Sequence, residues 1–240
     1  MRTFLGQPDA EDLSILLLTG PEARHACKVA RLKPGNHALV MANNQLHECS
    51  VITISPSLAR LAIVSVRPTA ADKAPRIILA QGIAKGQAMD DIVRITSELG
   101  VAGIIPLLSS RVEGAGEEKR LQNRMERWRA IALSAAKVSG EASPCAILAP
   151  MKLAQLAEVE AQLRIAFWEE ESATIKTILQ GVEVVSSALI VIGPEGGFSK
   201  DEVDLLRSMG MKTASLGKRI LRARTAGAAA ILALQYHFGD

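Results

Sequence analysis

Residue chemistry in this chain concentrates where two apolar runs empty into glycine turns. The first turn reads Ile192-Gly193-Pro194-Glu195-Gly196-Gly197-Phe198-Ser199. The second, one short helix later, reads Leu216-Gly217-Lys218-Arg219-Ile220-Leu221-Arg222. Glycines let the backbone turn sharply and bring its N–H and C=O groups up to a ligand with no Cβ in the way. Phosphate binding of the Walker type is excluded, because neither turn offers Gly-x-x-x-x-Gly-Lys followed by Ser or Thr. A dinucleotide fingerprint needs Gly-x-Gly-x-x-Gly after the first strand of a βαβ unit, and this turn follows one of the last strands without that spacing. A third reading remains open for either turn alone: a tight strand-to-helix connection that binds nothing.

The elements around the turns are what make them usable. Ala188 to Ile192 is an unbroken apolar run, as expected of a strand buried on both faces. Ser199 and Glu202 have the spacing of a capping box, Val203, Leu206 and Met209 follow as an apolar stripe, and Gly210 stands where the helix should stop. A second strand, Thr213 to Leu216, then opens onto the second turn. Two strand ends so close in sequence are placed to form two sides of one pocket at the edge of a parallel sheet.

Upstream, the chain divides in two. To about Arg67 it reads as mostly β with one helix, which starts at the Thr19-Gly20-Pro21-Glu22 signal and runs to about Ala30. Strand-like runs follow at Ala38–Ala42, Gln45–Ile54 and Leu58–Val66, separated by turn residues, and predict a small barrel. Pro68-Thr69-Ala70-Ala71-Asp72-Lys73-Ala74-Pro75 has linker composition, so residues 1–70 and 74–240 are expected to be separate domains. Beyond it strands and helices alternate: strand Ile77–Ile83, helix Met89–Leu99, strand Gly103–Leu108, helix Lys119–Lys137 and strand Cys145–Leu148. Helix Leu153–Leu163, strand Ile165–Trp168 and a helix near Ile175–Gln180 lead into the two turn units. That order predicts an α/β domain with a largely parallel sheet. A final alanine-rich helix from Thr225 to about His237 leaves room for close backbone packing.

Composition narrows the functional classes. A net charge of +3 neither demands nor forbids a nucleic-acid partner, and with 3% aromatic residues a base-stacking platform is not expected. Three cysteines without Cys-x-x-Cys spacing and four scattered histidines point away from a metal site and toward a reducing compartment. The start of the chain lacks the layout of a signal peptide and no apolar run approaches a membrane span, so a soluble, cytoplasmic protein is expected.

Taken as a pair, the turns carry a resemblance. Gly193-Pro194-Glu195-Gly196-Gly197-Phe198-Ser199 with Glu202, then Leu216-Gly217-x-Arg219-Ile220-Leu221-Arg222, then Thr225-Ala226, resemble the bacterial small-subunit ribosomal RNA uridine-N3 methyltransferases of the SPOUT class. Asp90-Asp91-Ile92-Val93, Glu98-Leu99-Gly100-Val101, Pro106, Arg111 and Arg127-Trp128 are similar to the family's middle. The resemblance implies a PUA-like RNA-binding barrel followed by a trefoil-knotted α/β domain, a homodimer and a ribosomal RNA or small-subunit substrate. It further implies an S-adenosylmethionine site built from Ile192, Gly193, Pro194, Glu195, Gly196, Gly197, Leu216, Gly217, Ile220, Leu221, Thr225 and Ala226.

For uridine N3 the difficulty lies on the acceptor, which carries a proton at neutral pH. Arg222 is the candidate donor to the base carbonyls, with Arg224 as a second. Glu195 is either the base or a holder of backbone amides. Arg24, Lys28, Arg31, Lys33 and Arg111 are the RNA-binding candidates; for the four in the N-terminal part a solvated face is the competing reading. Arg224 stands where the family usually has glutamate, and Val138 and Glu141 replace a glutamine and an arginine. An alternative therefore stays open, that of a ribosome-assembly protein that keeps the fold without the activity, as does methylation of a different RNA.

Overall fold

The computed structural model describes residues 2–67, 75–108 and 115–239. Arg111 and the predicted linker, apart from Pro75, lie outside the described residues. The chain forms two compact units, Met1–Ala71 with Ala136–Pro144, and Asp72–Ala135 with Cys145–Asp240.

The first unit is a six-stranded sheet. Its strands are β1 (Thr3–Leu5), β2 (Gln7–Pro8), β3 (Ile15–Thr19), β4 (His37–Ala42), β5 (Gln45–Ile54) and β6 (Leu58–Arg67), in the order β1-β4-β5-β6-β3-β2. The three predicted strands are β4 to β6, and Asn43 and Asn44 turn the first of their hairpins with φ of 51° and 57°. β1 and β2 were not foreseen, since strands of two or three residues are too short to display a period. They are separated by Gly6 alone, so one N-terminal run pairs with β4 on one side and β3 on the other. Phe4, Leu16, Leu18, Val40, Cys49 and Leu61 fill the space between them. The predicted helix is α-helical only over α1 (Gly20–Arg24); it widens into a π-helical turn at His25–Val29.

The second unit holds strands β7 (Arg76–Gly82), β8 (Gly103–Leu108), β9 (Ala146–Ile147), β10 (Met151–Lys152), β11 (Leu163–Phe167), β12 (Ser187–Ile192) and β13 (Lys212–Ala214). Every pairing among them is parallel, in the order β10-β8-β7-β12-β11-β13, with β9 also on β8. The helices are α2 (Ala88–Glu98), α3 (Ala115–Ser139), whose residues from Ala136 on belong to the first unit, α4 (Ile175–Leu179), α5 (Lys200–Ser208) and α6 (Ala223–Phe238). Along β12, Ala188, Ile190 and Ile192 join one core with Met89, Trp128, Ile231 and Leu234, while Leu189 and Val191 join another with Leu156, Val203 and Leu206. Both faces of the sheet are covered, which is why its strands read as continuous apolar runs. The helix expected at Leu153–Leu163 is instead a short 3-10 helix, Leu153–Glu158, followed by extended chain. Leu153, Leu156 and Val159 recur every third residue, the period of that tighter helix.

β12 enters between β7 and β11 after both have been laid down in sequence, so the first glycine turn leaves the middle of the sheet. β11 separates β12 from the edge strand β13. The exit of β11 is pinned by Glu171. One carboxylate oxygen accepts the amides of Ser172 (2.9 Å) and Ala173 (3.3 Å), and the other accepts the Thr213 hydroxyl and Arg207 Nη2 (2.6 Å). The Thr213 hydroxyl chiefly, then Arg207 and the amides, hold this carboxylic acid down to a pKa of about 2.

A group depressed in the fold stabilises it above its unfolded pKa and loses that contribution as pH falls through the folded one. Glu171→Gln is therefore expected to lower stability by on the order of 2 kcal/mol at pH 7. In urea unfolding, the gap from wild type should close between about pH 4.5 and about 2. A gap that stays constant over that window would contradict the assignment.

Candidate active site

The carboxyl ends of β12, β11 and β13 surround a cavity of about 220 Å³. The first glycine turn forms one side with Ile192, Gly193, Pro194, Glu195 and Gly197, and the second turn forms the other from Ser215 to Arg222. Ala223 and Ala226, in the first turns of α6, and Phe167, Trp168 and Glu169 at the end of β11 complete the lining.

Close backbone contacts set the first turn. A Cβ on Gly82, the last residue of β7, would lie 2.7 Å from the carbonyl carbon of Gly193 and from Pro194 Cδ. The buried side chain of Gln81 donates through Nε2 to the carbonyls of Gly82 (3.1 Å) and Gly193 (3.2 Å). Glu195 Oε1 accepts the amide of Lys85, 2.6 Å away in the loop after β7. Of the two roles open to Glu195, the structure displays the second: it tethers the turn. Gly197 has φ of 70°, and its amide closes the turn on Pro194 O at 3.0 Å. Ser199 then caps α5: its hydroxyl accepts the Glu202 amide, and the Glu202 carboxylate accepts the Ser199 amide.

The second turn is held at its base. Ser215 N donates to Ala173 O at 2.7 Å, Ile175 N donates to Ser215 O at 3.1 Å, and Trp168 N donates to Ala214 O at 3.0 Å. Beyond that base, the backbone amides of Gly217 through Leu221 donate to no protein acceptor among the described residues. Ile220 projects with 81% of its surface exposed. Five consecutive open amides and an uncovered apolar side chain on a cavity wall suit a ligand that is apolar with an acceptor-bearing edge, such as a purine.

Most of the predicted cofactor residues meet in this cavity: Ile192, Gly193, Pro194, Glu195, Gly197, Leu216, Gly217, Ile220, Leu221 and Ala226 all line it. Gly196 and Thr225 do not. Gly196 faces open space, and the Thr225 hydroxyl is turned back onto Arg222 O at 3.0 Å. Arg222 lines the cavity as the N-cap of α6. Arg224 does not; its guanidinium pairs with Asp91 of α2 at 3.3 Å. Phe167, Trp168 and Glu169, from the end of β11, were missed. The signal was the strand itself, whose end falls between the two turns only once the strand order is known.

The central motif residues form a clasp. Asp90 accepts Trp128 Nε1 at 3.2 Å and pairs with Arg127 at 2.5 Å, and Arg124 donates to Ala84 O at 3.1 Å, steadying the loop that Glu195 grips. In the first unit Arg24, Lys28, Arg31 and Lys33 are exposed, and none pairs with a carboxylate among the described residues. Among those residues no cluster of His, Cys, Asp or Glu could hold a metal ion, and no helix is long and apolar enough to cross a membrane.

Residues 72–235 match the model of the RNA methyltransferase domain family. The chain belongs to that family. The whole cavity lies inside the matched segment. Relatives include the ribosomal RNA small subunit methyltransferase E of Bacillus subtilis, 26% identical with 97% of this chain and 94% of that protein covered. The protein of that name from Aquifex aeolicus is 29% identical, with 89% and 90% covered. Among solved structures, a Legionella pneumophila methyltransferase in complex with the cofactor SAM superposes with a TM-score of 0.83 at 28% identity, covering 98% of each chain. A ribosomal RNA small subunit methyltransferase E from Neisseria gonorrhoeae bound to S-adenosyl methionine gives 0.85 at 25% identity, covering 98% of this chain and 97% of that one. Both solved structures thus share the fold along nearly the whole of this chain.

Within the domain, the two adjacent glycines of the first turn should respond differently. Gly197→Ala places a side chain at a left-handed φ and against the Glu169 carboxylate, and is expected to cost about 1–2 kcal/mol in urea unfolding. Gly196→Ala meets open space and should change stability by less than about 0.5 kcal/mol. Equal costs would contradict the turn geometry.

Proposed function

We propose that this chain transfers a methyl group from S-adenosylmethionine to N3 of a uridine in small-subunit ribosomal RNA. The observation that carries the reading is the cavity itself: two glycine turns at the carboxyl ends of β12 and β13, with open backbone amides, lie within the segment matched to RNA methyltransferases. The relatives named for the small ribosomal subunit support the substrate class, and the two SAM complexes support the cofactor.

When bound, S-adenosylmethionine supplies an electrophilic methyl on a sulfonium. The chain supplies the rest. Ile192 to Glu195, Gly197 and Leu216 to Leu221, with Ala226, form the cofactor walls; Gly196 and Thr225 act behind them by shaping the turn and the start of α6. Arg222 reaches from the cavity rim toward the base and donates to the uracil carbonyls, where negative charge grows as N3 loses its proton to water. A donor so placed contributes on the order of 3 kcal/mol. Arg224 acts at one remove through its pair with Asp91. The target base must leave its stack to enter the cavity.

We assign residues 1–70 to a PUA-like barrel that presents Arg24, Lys28, Arg31 and Lys33 to RNA, and residues 74–240 to a SPOUT domain. Entry of β12 between strands laid down earlier supports a trefoil knot, and the small residues of α6 fit it. The working unit on this reading is a homodimer.

Incubation of the purified chain with methyl-labelled S-adenosylmethionine and small subunits lacking the mark should place label in N3-methyluridine. Label confined to another nucleoside or to other RNA would overturn the substrate, and no label at all would favour a ribosome-assembly role. Arg222→Ala should lower kcat about 100-fold with cofactor affinity within about threefold. Arg224→Ala should lower it less than about tenfold, and a reversal of that order would exchange the two roles.

A further inference from the structure

Two carboxylates line the cavity, Glu169 and Glu195. Glu195 is committed to the Lys85 amide. Glu169 follows β11 by two residues and stands between the two glycine turns, so close to the first that a Cβ on Gly197 would overlap it. It makes no hydrogen bond or ion pair among the described residues, although Lys218, Arg219 and Arg222 line the same cavity. Glu171, two residues on, takes five protein donors. The acidic run 169–171 therefore divides its labour: Glu171 holds the strand exit, and Glu169 is left open toward the cavity.

We infer that Glu169 is a specificity residue that accepts hydrogen bonds from the vicinal hydroxyls of the cofactor's ribose, an inference that rests on the S-adenosylmethionine reading of this cavity. Two coplanar carboxylate oxygens match two adjacent hydroxyl donors, and hydrogen bonds to a charged acceptor are the strong ones. The other donors on that cofactor are the adenine 6-amino group, a single nitrogen whose two N–H bonds diverge and so match the two carboxylate oxygens less well than a vicinal diol, and its α-ammonium. The ammonium brings its own carboxylate with it, which two acidic side chains in one small cavity disfavour and the three cations of the second turn favour elsewhere. A diol carries no charge and meets no such conflict. Gly197 is the complementary feature: only a residue without a Cβ leaves the Glu169 carboxylate its place beside the turn.

The test is competition binding against labelled S-adenosylmethionine. Three ligands are used: unlabelled S-adenosylmethionine; 5′-methylthioadenosine, which keeps the ribose and lacks the amino acid; and 2′,3′-dideoxy-5′-methylthioadenosine. Glu169→Ala should weaken the first two by the same factor, about 10- to 100-fold, and the dideoxy compound by less than about twofold. Glu169→Gln, which keeps the shape and one acceptor, should fall between. A loss for S-adenosylmethionine alone would assign Glu169 to the ammonium and overturn the inference. An equal loss for all three ligands, or unfolding of both variants, would assign Glu169 to the adenine amino group or to a structural role and overturn it as well. If the wild-type chain binds none of them, the cofactor reading itself fails, an outcome distinct from any difference between the variants.

Discussion

The site depends on one close approach of backbones. Gly82 at the end of β7 meets Gly193 and Pro194 at the end of β12 with no space for a side chain, and the Gln81 amide bridges the two chain ends from within the core. Everything the first glycine turn does follows from where this contact aims it. Glu195 can reach the Lys85 amide because the loops after β7 and β12 leave the sheet side by side. Gly197 then falls beside Glu169, and Ser199 is delivered to cap α5. A larger residue at Gly82 would part the strands at the point where the cavity begins.

Strand order explains the cavity's other walls. β13 is the edge strand and β11 lies between it and β12, so two turns that are neighbours in sequence stand one strand apart in space. The gap between them is the cavity, and the end of β11 forms its third wall. Charge is distributed accordingly. Of the acids that follow β11, Glu171 holds the strand exit and Glu169 lines the cavity, while the cations Lys218, Arg219 and Arg222 sit on the second turn.

Much of this was legible in the residues. The unbroken apolar run of β12, the capping box at Ser199 and Glu202 and the stop at Gly210 are local signals, and the structure has the elements they predict. The glycine turns could be paired because both their spacing and their position after strands are written in the chain. Features set by other parts of the molecule were not legible. β1 and β2 are too short to carry a pattern, and the 3-10 helix at Leu153–Glu158 was read as a longer α-helix because apolar residues three apart suit either at short range. The place of Glu169 required the strand order, which no local pattern contains. The separation of Arg222 from Arg224 required Asp91, far away in sequence. Two arginines that look equivalent are divided by the helical start between them: one caps α6 at the cavity, and the other turns onto α2.

The central claim is that the space between the two glycine turns is where S-adenosylmethionine sits. Backbone amide spectra of the ¹⁵N-labelled chain, recorded during titration with S-adenosylmethionine, test it most directly. The account predicts that the largest shifts fall on Gly193, Glu195 to Gly197 and Gly217 to Leu221, with Glu169 among them, while the amides of β4 to β6 stay in place. Shifts that spare both turns, or that centre on the first unit, would contradict it.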